Sequence, residues 1–484
     1  MNIFLDRTSP VALRDQIVAY FETQISLGVF PGGMRLPSVR TLASQIRVNP
    51  STVREAYAEL ACRDMVEGQG GRGTFVRMGH GPAAPLTIDL DVAREDPHRS
   101  IVYTTMVAPG RTDILSLDQQ VPAPHLLPFV DLDLATRHIW NPNNQALHHF
   151  GDPQGLFDLR ERLAHLVAWR GVTRVRADDL LVTSGVVQGL FLCLSLLCRK
   201  GDGVIVESPT WGVALSMLDH LGLVARPVPL TPEGMDIDEV DRILERRRAR
   251  AIFTVPCGHN PTGVSSSVEQ RTALLDVARR HGVPIIEDDI YGLLGLSGEE
   301  APSLLALDDE RAIVFSLTGV SKSLGPAFRL GWMVPPPRFL DRFIATKQNL
   351  DLHTNHIVQY ILERYLSLDR FDAHLRRTRG AYKEMRDARI GAVRDVLGDR
   401  AEVHEPAGGF ALWVRLNGGM PAREIVSRSL RDGVYATPGA CFFPVDKEEE
   451  GDRFLRLSFT LPEEGQFLSG LRVLAKAMRS AAAA

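Results

Sequence analysis

Between residues 9 and 62 apolar side chains recur at helical spacing in three separate runs. The first is predicted to open at Ser9-Pro10, a hydroxyl cap followed by proline at the first helical position. It carries Ile17, Tyr20, Phe21 and Ile25 on one face as far as Gly28, a stop signal. Pro31-Gly32-Gly33 reads as a turn, and Leu36-Pro37-Ser38 starts a second short helix from Val39 to Ile46. Asn49-Pro50 repeats the cap and proline and starts a third. On it Val53, Ala56, Tyr57 and Leu60 fall at i, i+3, i+4 and i+7, one core-facing stripe. Ser51, Thr52, Arg54 and Glu55 are left pointing away from that stripe. Then comes Met65-Val66-Glu67, a turn at Gln69-Gly70-Gly71-Arg72-Gly73, and Thr74-Phe75-Val76. Strand, glycine turn and strand predict a hairpin.

From Leu180 onward, short fully apolar runs alternate with amphipathic ones. Leu180–Thr183 precedes a helix over 186–198, Val204–Glu207 precedes one over 211–221, and Ala251–Val255 precedes one over 267–281. Pro284–Asp288 and Ala312–Phe315 follow. Apolar strands separated by amphipathic helices predict an α/β domain, with a parallel sheet covered on both faces. Residues 78–112 carry no long periodic pattern. Gly79–Pro85 is small and proline-rich, and a short helix is expected between Asp91 and Tyr103. That stretch is long for a loop inside a domain. The expected organisation is 1–77, a helix-turn-helix with a hairpin wing; 78–112, a linker; and 113–484, the α/β domain.

At 484 residues the chain exceeds one ordinary domain. A net charge of −4 excludes a wholesale basic coat for nucleic acid. The first 80 residues differ, with nine arginines against seven acidic groups. Cys62, Cys193, Cys198, Cys257 and Cys441 lack metal-type spacing, so reduced thiols in a cytoplasmic protein are expected, and no metal. The first residues hold no signal-peptide apolar core, and no run approaches the roughly 18 apolar residues of a membrane helix.

The second of two short helices, presenting hydroxyls and Arg54, suits a DNA major groove. Arg72 at the wing tip suits a minor groove or a phosphate. The order of pieces resembles the winged helix of the GntR family of bacterial regulators. The resemblance rests on Leu36-Pro37-Ser38-Val39-Arg40, Leu42-Ala43, Thr52-Val53-Arg54-Glu55-Ala56 and Gly71-Arg72-Gly73-Thr74-Phe75-Val76. It implies double-stranded operator DNA as partner, contacted through the arginines Arg40, Arg54 and Arg72; Ser51, Thr52 and Gly73 are further expected DNA-binding residues. Asn49-Pro50 stands where that family usually has Ser-Arg, which removes one arginine from the expected contact set.

In the α/β part the chemistry-bearing residues fall just after strands, where such sheets bind ligands. Ser184-Gly185-Val186 opens a helix whose free N–H groups suit a phosphate. Trp211 offers a flat ring for stacking on a pyridine. Asn260, in His259-Asn260-Pro261-Thr262-Gly263, can donate to a phenolic oxygen. Asp288, with Tyr291 three residues on, can hold a pyridine nitrogen protonated. Lys322 can form a Schiff base, and Arg329, seven residues later, can clamp a phosphate. The pair points to pyridoxal 5'-phosphate (PLP).

The order of these residues, with Gly151-Asp152-Pro153-Gln154-Gly155, Pro209-Thr210-Trp211 and Leu455-Arg456-Leu457-Ser458-Phe459, resembles fold-type I, class I aminotransferases over roughly residues 115–475. The resemblance implies that Arg456 clamps a substrate or effector α-carboxylate. The two parts together resemble the MocR regulators. Phe150 stands where relatives often carry a tyrosine that reaches the neighbouring subunit's phosphate. Gly319 stands where a phosphate-binding Ser or Thr is common, with Thr318 as a substitute shifted by one. Both changes imply looser hold on PLP. The expected function is a PLP-dependent transcriptional regulator, a head-to-tail homodimer sensing PLP or an amino compound. The alternative is a working class I aminotransferase with an attached DNA reader.

Overall fold

The computed structural model describes residues 3, 5–7, 9–26, 29–70, 72–77, 114–137, 139–140, 148–296 and 301–479. The chain divides into two units, Met1–Arg94 and Glu95–Ala484. The expected linker over 78–112, with its short helix, lies outside the described residues, as do Gly28 and Gly71.

In the first unit, α1 (Leu13–Ser26), α2 (Val39–Ile46) and α3 (Pro50–Cys62) precede β1 (Val66–Gln69) and β2 (Gly73–Val76). Helix α1 begins three residues after the expected Pro10. Ser9 Oγ accepts from Val11 N at 3.2 Å, and Gln16 Nε2 donates to the carbonyls of Val11 and Asp6. Those bonds fix a turn where a first helical turn was expected. The other two starts follow the capping logic. Ser38 Oγ accepts from Thr41 N, and Asn49 Oδ1 accepts from Ser51 N, with Pro50 in the first turn. Ile17, Phe21, Ile25, Leu42, Val53, Ala56, Tyr57 and Leu60 form one core with Val66 and Val76. Strands β1 and β2 pair antiparallel, from Val66 opposite Val76 to Gln69 opposite Gly73.

The second unit holds a sheet of eight strands. Their ranges are β4 (Leu181–Thr183), β5 (Gly203–Ser208), β6 (Val224–Thr231), β7 (Gly234–Met235), β8 (Ala251–Thr254), β9 (Ile285–Asp288), β10 (Val314–Gly319) and β11 (Gly331–Val334). The order is β4-β11-β10-β9-β8-β5-β6-β7. Strands β10, β9, β8, β5 and β6 run parallel; β11 is antiparallel to both neighbours, and β7 is antiparallel to β6. The sheet is therefore mixed, where the sequence predicts a parallel one.

Both faces are covered. Ile285 and Ile286 are fully buried but join separate clusters, Ile285 with Val182, Ile252 and Val314, and Ile286 with Phe253, Phe315 and Leu317. Alternate residues point to opposite faces, so a strand buried on both sides must be apolar throughout. A second sheet packs the C-terminal part. In it β12 (Ala401–Val403), β13 (Ala411–Leu416), β15 (Thr437–Pro438) and β16 (Phe454–Ser458) are antiparallel. Just after the linker, β3 (Leu115–Ser116) pairs parallel with β14 (Val434–Tyr435).

Among the described residues no helix is long and apolar enough to cross a membrane. None of the five cysteines forms a disulfide.

Candidate functional site

Because β4 and β10 both run antiparallel to β11, the carboxyl ends of β4, β5, β8, β9 and β10 lie at one edge of the sheet. Ser184, Trp211, Asn260, Asp288 and Lys322 each end a strand or follow one there.

Lys322 Nζ donates to the carbonyl of Gln120 at 2.6 Å. It lies 5.4 Å from the ring centroid of Tyr291 and 5.9 Å from that of Phe410. Burial among these groups, with Arg456 and Arg329 nearby, lowers its pKa to about 8, against the opposing pull of Asp288. Asp288 is buried and accepts from Ile290 N at 3.1 Å. Burial raises its carboxyl to about 7. Tyr291 is fully buried, its phenol pKa is raised by burial, and its hydroxyl has no hydrogen-bond partner. A buried hydroxyl without a partner is costly and rare, and marks a place for a missing acceptor or donor.

The phosphate end is built from backbone. Gly185 caps the helix Val186–Leu197 at φ 82°, with no side chain capping the first turn. Its left-handed backbone suits glycine, and a Cβ there would stand 3.0 Å from Arg329 Nη2. The Arg329 guanidinium therefore lies against the open end of that helix. Val186 supplies a first-turn N–H. The Ser184 N–H is occupied, bonded to Gln188 Oε1 at 2.7 Å.

Thr318 is not part of this end. Its hydroxyl donates to the Asp289 carbonyl at 3.1 Å, and it shares a cavity wall with Ser316, Trp332 and Arg170. Leu317, on the other face of β10, is the residue that packs against the phosphate-end helix at Gly189. Strand alternation turns Thr318 away, so the shift by one residue that the sequence suggests fails.

Arg456, on β16, donates from Nη1 to Asn260 Oδ1 at 3.1 Å. Its Nη2 reaches Asp118 Oδ2 at 3.3 Å, and its guanidinium lies 4.7 Å from the Phe442 ring centroid. Asp118 and Gln120 were not singled out from the sequence. No apolar period or motif marks them, and the ion pair spans 338 positions. Trp211 is half-buried at the cap of the helix Gly212–His220. Phe150 is 83 % exposed.

These features fit PLP: a buried carboxylate for a ring nitrogen, an unpartnered phenol, an amine with a lowered pKa, and a guanidinium at an open helix end. Among the described residues no cluster of three metal-type side chains occurs.

In the first unit Arg40, Ser51, Arg54, Arg72 and Gly73 are exposed, and Thr52 is half-buried. Arg72 N donates to Gln69 O at 2.7 Å, which closes the wing turn. Ser51 Oγ donates to Asn49 Oδ1 at 2.8 Å, so the cap holds that hydroxyl. Arg35, unmarked by sequence reasoning, bridges to Phe75, and its Nε would stand 2.9 Å from a Cβ on Gly73. It adds a cation beside the wing.

Residues 133–466 match the family described as aminotransferase class I and II, and residues 13–76 match the bacterial regulatory proteins of the gntR family. The chain is 29% identical to the uncharacterized HTH-type transcriptional regulator YisV of Bacillus subtilis, over 98% of this chain and 97% of that one. It is 28% identical to the HTH-type transcriptional regulator TauR of Rhodobacter capsulatus, over 93% of each. Among solved structures, the α-aminoadipate aminotransferase LysN of Thermus thermophilus, complexed with N-(5'-phosphopyridoxyl)-L-leucine, is similar at TM-score 0.71 and 28% identity. That match covers 81% of this chain and 96% of the other. The kynurenine aminotransferase of Pyrococcus horikoshii is similar at TM-score 0.73 and 29% identity, over 80% and 95%.

Proposed function

The chain belongs to the class I and II aminotransferase family and carries a gntR-family helix-turn-helix ahead of that domain, and from this we propose a PLP-dependent transcriptional regulator of the MocR type. The observation that carries this reading is the joining of a DNA reader to a PLP-fitting site in one chain, which matches relatives named HTH-type transcriptional regulators nearly end to end.

PLP supplies an aldehyde for Lys322 and a ring whose nitrogen Asp288 can keep protonated. The chain's own groups do the rest. Desolvation brings the Lys322 amine to half neutral at about pH 8, and the neutral form is the nucleophile. The Tyr291 hydroxyl and the Asn260 amide are the donors proposed for the cofactor's phenolic oxygen. Val186 N–H, at the open helix end, and the Arg329 guanidinium hold the phosphate, with Ser184 lending only its hydroxyl. Trp211 stacks on the ring. On the DNA side, Arg54 and the exposed edge of α3 read the major groove, and Arg40, Arg72 and Gly73 meet the backbone or the minor groove. The effector is PLP or an amino compound that takes the place of Lys322. The functional unit is a head-to-tail homodimer acting in the cytoplasm. Large apolar side chains left at the surface, Phe129, Val130, Trp140 and Phe150, support burial in a second copy.

Two measurements on one preparation test this. Borohydride reduction of protein given PLP should fix the cofactor's mass on Lys322. Incubation with amino-acid donors and 2-oxo-acid acceptors should give no multiple turnover. No label on Lys322 contradicts the cofactor assignment, and sustained turnover contradicts the regulator.

A further inference from the structure

The clamp that the sequence assigns to an incoming carboxylate already holds one. Asp118 is 2 % exposed. Its Oδ2 takes Arg456 Nη2 at 3.3 Å and the Thr437 hydroxyl, and its Oδ1 takes Ser116 Oγ at 2.6 Å. Arg456 Nη1 is given to Asn260 Oδ1, and the Phe442 ring lies against the guanidinium. Of its five N–H groups, Nε–H and the second one on Nη1 are left without an acceptor. A carboxylate forks onto two parallel N–H groups of one guanidinium, either Nη1 with Nη2 or Nε with Nη2, and Asp118 occupies Nη2 with both its carbonyl and its Oδ2. Nor can Asp118 step aside cheaply. Leaving Arg456 strands a buried carboxylate on two hydroxyls, and staying sets two carboxylates against one cation.

On the same short segment, Gln120 takes the Lys322 ammonium with its carbonyl, while its buried Oε1 has no partner. The segment thus offers the ligand an anion and an unused acceptor where an amino acid needs donors.

Resting on the reading that PLP occupies Lys322, we infer that Asp118 sets the ligand class of this site: a primary amine with no carboxylate on the carbon that bears the nitrogen. Asp118 acts as the site's own carboxylate. It neutralises Arg456 and excludes α-amino acids.

The test is a calorimetric titration of the PLP-loaded full chain with matched pairs that differ only by the carboxylate. Ethylamine is set against alanine, isobutylamine against valine, phenethylamine against phenylalanine, and agmatine against arginine. At least one amine should bind, and at least about tenfold more tightly than its amino acid, the size of one pK unit of like-charge repulsion. In Asp118→Asn the amino acid of that pair should gain about the same factor. Should that variant fail to fold, Asp118→Ser serves, and the wild-type comparison stands by itself. An amino acid that binds wild type as well as its amine overturns the inference, as does a full panel that fails to bind. Protein that takes no PLP onto Lys322 overturns the reading beneath it as well, and borohydride labelling separates the two failures.

Discussion

Asp288 and Lys322 are ionisable groups that burial pushes in opposite directions, and each gives a pH-dependent expectation. Lys322 must be neutral to attack an aldehyde, and its pKa is lowered to about 8. The rate of PLP capture should therefore rise about tenfold per unit as pH climbs towards 8 and level off above it. Stopped-flow absorbance measures this, and a rise continuing towards 10.5 would mean an unshifted amine. Asp288 moves from 3.8 to about 7. Below 3.8 both folded and unfolded states hold the proton. Between 3.8 and 7 the unfolded chain ionises while the folded one does not, so stability falls as pH rises through that window and no further above it. Asp288→Asn removes the titration. The cofactor-free variant should gain Tm over wild type progressively across that window and keep the gain above it. It should also hold PLP more weakly. A Tm difference flat across the window would contradict the shifted carboxyl. Both residues are legible in the sequence because Asp288 ends an apolar strand and Lys322 follows one. Asp118 and Gln120 are not, because their partners Arg456 and Lys322 lie more than two hundred positions away and only the folded chain joins them.

At the scale of elements, the caps Ser38 and Asn49 and the apolar stripe of α3 stand where the sequence places them. Asn49-Pro50 starts α3, and the stripe Val53, Ala56, Tyr57, Leu60 is its buried face. Helix α1 starts later than Ser9-Pro10 suggests because the bonds of Gln16 to Asp6 and Val11 decide that turn. Strand β6 was missed because Pro227 and Pro229 interrupt its apolar run and it is buried on neither face throughout. Strand β11 was missed because four residues next to the lysine segment are too few to show a period. The exposed side of α3 and the wing carry the DNA expectations. Arg54→Ala should weaken specific binding by about 1–3 kcal/mol if it reads a base. Arg72→Ala should lower affinity for all sequences and reduce the salt slope by about one phosphate. Footprints and salt titrations on operator and unrelated DNA distinguish the two, and unchanged behaviour in both variants would move the DNA surface elsewhere.

At the scale of the molecule, a DNA reader and a cofactor-binding domain share one chain, and paired half-sites call for a dimer. Light scattering at micromolar concentration should give twice the 53.5 kDa of the chain, and a monomer would contradict that. The α/β class was legible because fully apolar strands leave few alternatives, whereas the antiparallel β11 within the sheet was not. Chemistry at Lys322 is proposed to change how the other unit reads DNA. A ligand shifts DNA binding only if it binds two conformations unequally. The DNA surface itself uses no part of Lys322. Operator affinity should therefore be measured for wild type and Lys322→Ala, each with and without PLP and with PLP plus a candidate amine. Wild type should change by about 5- to 150-fold, the range of a typical allosteric coupling, while Lys322→Ala still dimerises, still binds operator and does not respond. Wild-type affinity that ignores PLP and every amine tested would contradict that coupling.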